Sequence, residues 1–187
     1  MIVFLDFEAS SLSDDSYPIE IGWAAEDGST EQHLIRPAPG WTDWSATAEA
    51  VHRIEHDQLL AEGEPHDQVA RRTLEALAPH AVFVTAPSWD GKWMSLLLRS
   101  AGLPRHALRL KDAEEAHRAA ATAVLAGRAP AAEIEGAALL ICAEARRRVQ
   151  EAHPAHRALA DAQAELQVWR ETRREAEAFA ARYDRAD

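Results

Sequence analysis

The sequence predicts an α/β fold: a mixed β-sheet, with an antiparallel three-strand meander plus parallel strands, flanked by α-helices. Three observations predict it. Residues 1–5, Met-Ile-Val-Phe-Leu, form the continuous apolar run expected of a central strand buried on both faces. Two further strand-like runs, 17–25 and 31–36, enclose Glu26-Asp27-Gly28-Ser29, whose Asp-Gly pair suits a tight hairpin turn. Past residue 46 the pattern becomes helix, strand, helix, strand and then helix to the end.

Each element has its own signals. Pro37, Pro39 and Gly40 mark a loop that also carries Trp41 and Trp44. Helical patterning starts near Ala46, with Ala50, Val51, Ile54 and Leu59 on one apolar stripe, and Gly63 and Pro65 break it. A second helix runs to about Ala78 and is stopped by Pro79. Residues 81–85 read as a short strand and 89–100 as a helix ended by Gly102 and Pro104. Residues 107–111 could add one more short strand. The Ala-, Glu- and Arg-rich remainder reads as helix, interrupted at 127–130 and at His153-Pro154. Without an internal repeat or a long linker, the expectation is a single domain over residues 1–187.

Composition narrows the function. With 187 residues, 47% of them hydrophobic, disordered and collagen-like classes are excluded. The lone Cys142 excludes an internal disulfide framework and fits a reducing, cytoplasmic setting. The longest apolar stretch, 137–143, is too short to span a bilayer, and no membrane partner is expected. Residues 1–5 run directly into Asp6 and Glu8 without a basic n-region, so they do not read as a signal peptide. The formal charge of −11 is unevenly spread: 15 acidic against 2 basic residues through Asp67, then 16 against 18. Tight duplex binding by counterion release needs many Lys and Arg side chains on phosphates. An acidic N-terminal part could instead hold divalent cations that recruit a phosphate, although most of these carboxylates read as solvated surface.

Three groups could carry chemistry. Asp6 and Glu8, at i and i+2 where the first strand ends, share one strand face with Cα atoms about 6.5–7 Å apart. The pattern Asp-x-Glu recurs at Asp112-Ala113-Glu114, but only the first copy follows a strongly apolar strand. His156 and Asp161 are separated by five positions, roughly 140° around a regular helix. They can reach one point if Pro154 places His156 in the lead-in and Asp161 one turn along. The same spacing at His52 and Asp57 is a decoy. Asp90 sits just after a strand at the start of a helix, where it could face a cleft or simply cap the helix.

In this order the motifs resemble the DEDDh family of 3′–5′ exonucleases, which includes the DnaQ-like proofreading subunit, ribonuclease T and oligoribonuclease. Asp6 and Glu8 match its Asp-x-Glu motif; Asp90, framed by Trp89, Trp93 and Met94, matches its second. His156, Ala158, Asp161 and Ala162 match its H-x-A-x-x-D-A motif, and Val51-His52-Arg53-Ile54 looks like its V-H-G-I segment. The resemblance covers about residues 1–170 and implies an RNase H-like fold. It implies two Mg²⁺ or Mn²⁺ ions held by Asp6, Glu8, Asp90 and Asp161, with His156 as general base. The implied activity is removal of nucleotides from the 3′ ends of single-stranded RNA or DNA. RNA is favoured somewhat, because the compact acidic chain resembles small RNA-trimming members. Two departures stand out: Thr85-Ala86 where members often carry His-Asn, and Ser11 in place of the glycine of E-T-T-G-L.

Trp41, Trp44 and His52 are candidate substrate contacts, since aromatic rings stack on any base; equally, the two tryptophans could pack beneath their loop. Lys92 could touch a phosphate or be solvated. Arg146-Arg147-Arg148 could reach a substrate backbone or a partner, or form a solvated face. The long C-terminal helices could supply a homodimer interface, as in related enzymes. A reading of another class is a catalytically weak domain of the same fold that binds nucleic-acid ends or a protein partner.

Overall fold

The apolar run near the start of the chain is the middle of a sheet. A computed structural model gives the fold and describes residues 1–150 and 156–184. β1 (Ile2–Ala9) pairs antiparallel with β2 (Pro18–Ala25) and parallel with β5 (Ala81–Val84). β3 (Thr30–Arg36) lies antiparallel to β2 and parallel to the two-residue β4 (Glu64–Pro65). With β6 (Leu110–Asp112) the sheet order is β4-β3-β2-β1-β5-β6. The β2–β3 hairpin turns at Gly28, whose φ of 93° favours a residue without a Cβ.

Two compact units are present: Met1–Lys111 with Ala155–Gln163, and Asp112–Pro154 with Ala164–Asp187. The first holds most of the sheet together with α1 (Ala46–His52), α2 (His56–Glu62), α3 (His66–Leu77), α4 (Pro87–Ser100) and the opening of α7 (Ala158–Ala180). Strand pleating sorts its side chains. Val3, Leu5, Phe7 and Ala9 of β1, with Ile21 and Trp23 of β2, join Val69, Leu77, Met94, Leu97 and Leu98 of α3 and α4 in the main core. Asp6 and Glu8 consequently occupy the opposite face of β1.

The second unit contains α5 (Ala113–Leu125), α6 (Ala131–Gln150) and the rest of α7. Leu125, Ala138 and Ile141 pack there with Ala176 and Ala180. Its basic run is held in ion pairs: Arg146 with Glu114 and Glu165, Arg147 with Glu144, and Arg148 with Glu144 and Glu175. Among the described residues no helix is long and apolar enough to cross a membrane.

Four expectations shift. β1 extends to Ala9, so Asp6 and Glu8 lie within the strand instead of at its end. The single helix expected from Ala46 is two, because Arg53 turns left-handed (φ 59°) and closes α1. The stripe expected through Ala50 and Val51 is rotated: both are exposed, and His52 is the buried residue of α1. The last strand is Leu110–Asp112, later than 107–111. The break expected at His153-Pro154 lies outside the described residues.

Candidate metal centre and nucleotide pocket

Asp6, Glu8 and Asp161 converge, each offering an oxygen, with the ligand atoms all within 4.8 Å of one another. The β1–β2 register explains the sheet side of this group: Asp6 pairs with Gly22 and Glu8 with Glu20, so all four positions share one face. The start of α7 lies directly on Gly22, where an added Cβ would stand 2.3 Å from the backbone nitrogen of Leu159. Only a glycine admits a helix this close. Beside it, the buried carboxylate of Glu20 accepts the Ala158 N–H at 3.0 Å and the Arg157 guanidinium at 2.5–3.1 Å. A carboxylate at a helix N-terminus complements the helix dipole as well as satisfying a free N–H.

The centre is short of positive charge. Burial pushes the Glu8 carboxyl up to about 8, reinforced by Asp161 and Glu20 and opposed by Arg157. Crowded carboxylates that favour a shared proton also favour a divalent cation, which relieves the same repulsion. An all-oxygen donor set suits Mg²⁺ or Mn²⁺. The residues present therefore fit a hard divalent ion.

Asp90 lies in the first turn of α4, 2% exposed, outside that three-carboxylate group. Its Oδ2 accepts the Ala86 N–H at 3.1 Å, and burial pushes its carboxyl up to about 7. Asp161 repeats this device, its Oδ2 accepting the Arg157 N–H at 3.2 Å. Each aspartate thus uses one oxygen to close the start of its own helix. His156 is exposed and immediately precedes Arg157, ahead of the helix.

Adjoining Glu8 is a cavity of about 430 Å³ lined by Phe7, Ser11, Leu12, Val51, His52 and Trp93. That volume lies in the usual range for small-ligand pockets. Asp43 accepts the hydroxyl of the lining residue Ser11 (2.5 Å), together with those of Ser10 (3.1 Å) and Ser13 (3.1 Å). His52 is 3% exposed; its Nδ1 accepts the Ile54 N–H at 3.0 Å, which assigns the ring proton to Nε2. Burial lowers its pKa, so the ring is neutral, and Nε2 is buried with no hydrogen-bond partner among the described residues. The same residue lines the cavity.

Trp41 stacks on the buried Tyr17 at 5.3 Å, while the Trp44 Nε1 donates to Glu49 at 2.7 Å. Both pack against the satellite cluster of Tyr17, Ile19, Ile54 and Leu59. Lys92 is half-buried, and its Nζ donates to Ser13 O (2.7 Å) and Ser16 Oγ (3.0 Å), clipping the 13–16 loop to α4. Three residues that pack the start of α7 beside the carboxylates are not singled out by the sequence: Glu20, Gly22 and Arg157. The signal for the first was present, an acid inside the otherwise apolar run Ile19-Glu20-Ile21.

Strand order, register and flanking helices together define the RNase H-like α/β fold. Solved structures that share it include those of exonuclease I. A zinc-bound E. coli complex with single-stranded DNA aligns over 93% of this chain at 16% identity, with a TM-score of 0.66. E. coli complexes with dA16 and dT13 oligonucleotides align over 95% and 88% at 15% identity, with TM-scores of 0.64 and 0.62. This chain spans 39–42% of the length of those proteins. No family model matches the chain, and no curated protein matches it by sequence.

Proposed function

We propose that this chain is a metal-dependent 3′–5′ exonuclease acting on single-stranded nucleic acid in the cytoplasm. The observation that carries the proposal is the convergence of Asp6, Glu8 and Asp161 within 4.8 Å, with Glu8 also lining a nucleotide-sized cavity. In this reading Asp6, Glu8 and Asp161, joined by Asp90, hold two Mg²⁺ or Mn²⁺ ions. Such ions would polarise the scissile phosphate and stabilise the departing 3′ oxygen. The chain's own residues do the rest. The cavity seats the terminal nucleotide, and the neutral His52 donates from Nε2 to one of its oxygens. His156, exposed beside Arg157, takes the proton of the attacking water on a ring nitrogen. Trp41 and Trp44, packed against the satellite cluster, support neighbouring bases only through the faces their packing leaves open.

DNA and RNA both belong among the substrates to be tried. Exonuclease I complexes hold single-stranded DNA or deoxyoligonucleotides, whereas this acidic chain resembles small RNA-trimming members, which inclines the proposal towards RNA. The test incubates 5′-labelled single-stranded DNA and RNA with Mg²⁺ or Mn²⁺. The expected result is a ladder shortening from the 3′ end, absent with Asp6→Asn although that variant keeps the wild-type circular dichroism. No ladder with either ion, or an undiminished one with Asp6→Asn, overturns the proposal. A second reading, a weakly catalytic module that holds nucleic-acid ends, is favoured by one observation: Asp90 stands outside the three-carboxylate group and caps its own helix. Oligonucleotide binding without any ladder is its signature.

A further inference from the structure

Among the described residues, Glu20 is the one fully buried acid beside the centre that the proposed chemistry does not use. It is 0% exposed and faces Glu8 directly across the β1–β2 ladder. Burying a carboxylate there is unfavourable unless its oxygens are satisfied. Its Oε1 accepts from Gln32 Nε2 (2.5 Å) and Arg157 Nη2 (2.5 Å), and its Oε2 accepts from Arg157 Nε (3.0 Å) and the Ala158 N–H (3.0 Å). Those four bonds occupy the lone pairs that an ion would need.

The partners are the informative part. Arg157 follows His156 in the chain, and Ala158 opens α7. Arg157 is also tied to Asp161 in both directions: its N–H donates to Asp161 Oδ2 (3.2 Å), and its carbonyl accepts the Asp161 N–H (2.9 Å). Whatever fixes Arg157 therefore fixes the residue before it and the residue one turn after it. On the sheet side, Gly22 keeps the next same-face position of β2 clear for the helix.

We propose that Glu20 and Arg157 form a latch that positions His156 and Asp161 against β1, completing the centre from residues that are not themselves ligands. The latch rests on the exonuclease reading for its purpose but not for its existence. Both are positioning residues. Without the latch, Asp6 and Glu8 stay on their strand while the third carboxylate is no longer held to them.

Hydrogen exchange over residues 156–163, without metal or nucleic acid, reads the latch directly. In Glu20→Gln the amides of 158–161 should exchange at least about tenfold faster, with β1 and α4 unchanged. In the same folded variant the Mn²⁺ Kd should rise about tenfold or more, and kcat should fall while the oligonucleotide KM moves by less than about threefold. Arg157→Gln, at a half-exposed position, should reproduce these effects, and Arg157→Lys should restore part of the Mn²⁺ affinity. If Glu20→Gln does not fold, Arg157→Gln decides alone. Wild-type exchange in a folded variant overturns the latch, and so does a lowered melting temperature with an unchanged Mn²⁺ Kd. A wild-type chain that neither binds Mn²⁺ nor cuts would sink the exonuclease reading instead, with the exchange result still judging the latch.

Discussion

Single side chains here carry more than one duty, and the choice of substitution must respect that. Asp90 and Asp161 each hold the N–H of the residue four positions earlier. Alanine at either site would remove a helix cap together with any ligand, a loss of about 0.5–2 kcal/mol unrelated to chemistry. Asparagine keeps an acceptor oxygen and removes only the charge. His52 also has two duties, since its buried ring accepts the Ile54 N–H. His52→Ala should therefore lower the melting temperature and, on the proposed reading, raise the oligonucleotide KM about tenfold with kcat within about threefold, measured by steady-state kinetics on the folded variant. His156→Ala should do the opposite, losing most turnover while Mn²⁺ titration gives an unchanged Kd. At this scale the sequence was partly legible. Asp6 and Glu8 could be picked out because the pleat forces i and i+2 onto one face. His52 stands out in the sequence only through its V-H-G-I-like segment and as a candidate substrate contact; its burial beside the left-handed Arg53 comes from the fold.

At the level of elements, the decisive contact is between β2 and the start of α7. Gly22→Ala should destabilise the fold by about 1–3 kcal/mol in urea titration, because backbone and not a flexible side chain stands in the way. It should also weaken Mn²⁺ binding, since the helix that carries Asp161 must move. A variant with wild-type stability and Mn²⁺ affinity would mean that the close approach is unimportant. The strands themselves were readable from apolar runs and the Asp-Gly turn. The two-residue β4 was not, because a strand that short has no periodicity to detect. Nor was the docking of α7 on β2: it depends on a glycine and an acid more than a hundred residues upstream of the helix they receive, a pairing that no local pattern encodes.

For the molecule as a whole, buried acids make stability depend on pH in an unusual sense. The folded-state pKa of Glu8 is raised from about 4.5 to about 8, and that of Asp90 from about 3.8 to about 7. The folded chain thus holds protons that the unfolded chain has released, so stability is greatest below pH 4–5 as far as these groups are concerned. It is lost as pH rises through 7 and 8. Calorimetry in chelator should show the melting temperature falling on the order of 5 °C across that window, and millimolar Mn²⁺ should reverse most of the fall. A flat profile in chelator would indicate that these carboxylates are better solvated than their burial implies. Acidity of the whole chain was plain from its composition, but which acids are buried follows only from the tertiary fold. One consequence concerns synthesis. The first unit is closed by residues 155–163, which are translated only after the whole intervening stretch from Asp112 to Pro154. On the ribosome, a partly made chain holds Asp6 and Glu8 without their third companion, so on the proposed reading it stays inert toward the very message that encodes it until Asp161 has been added.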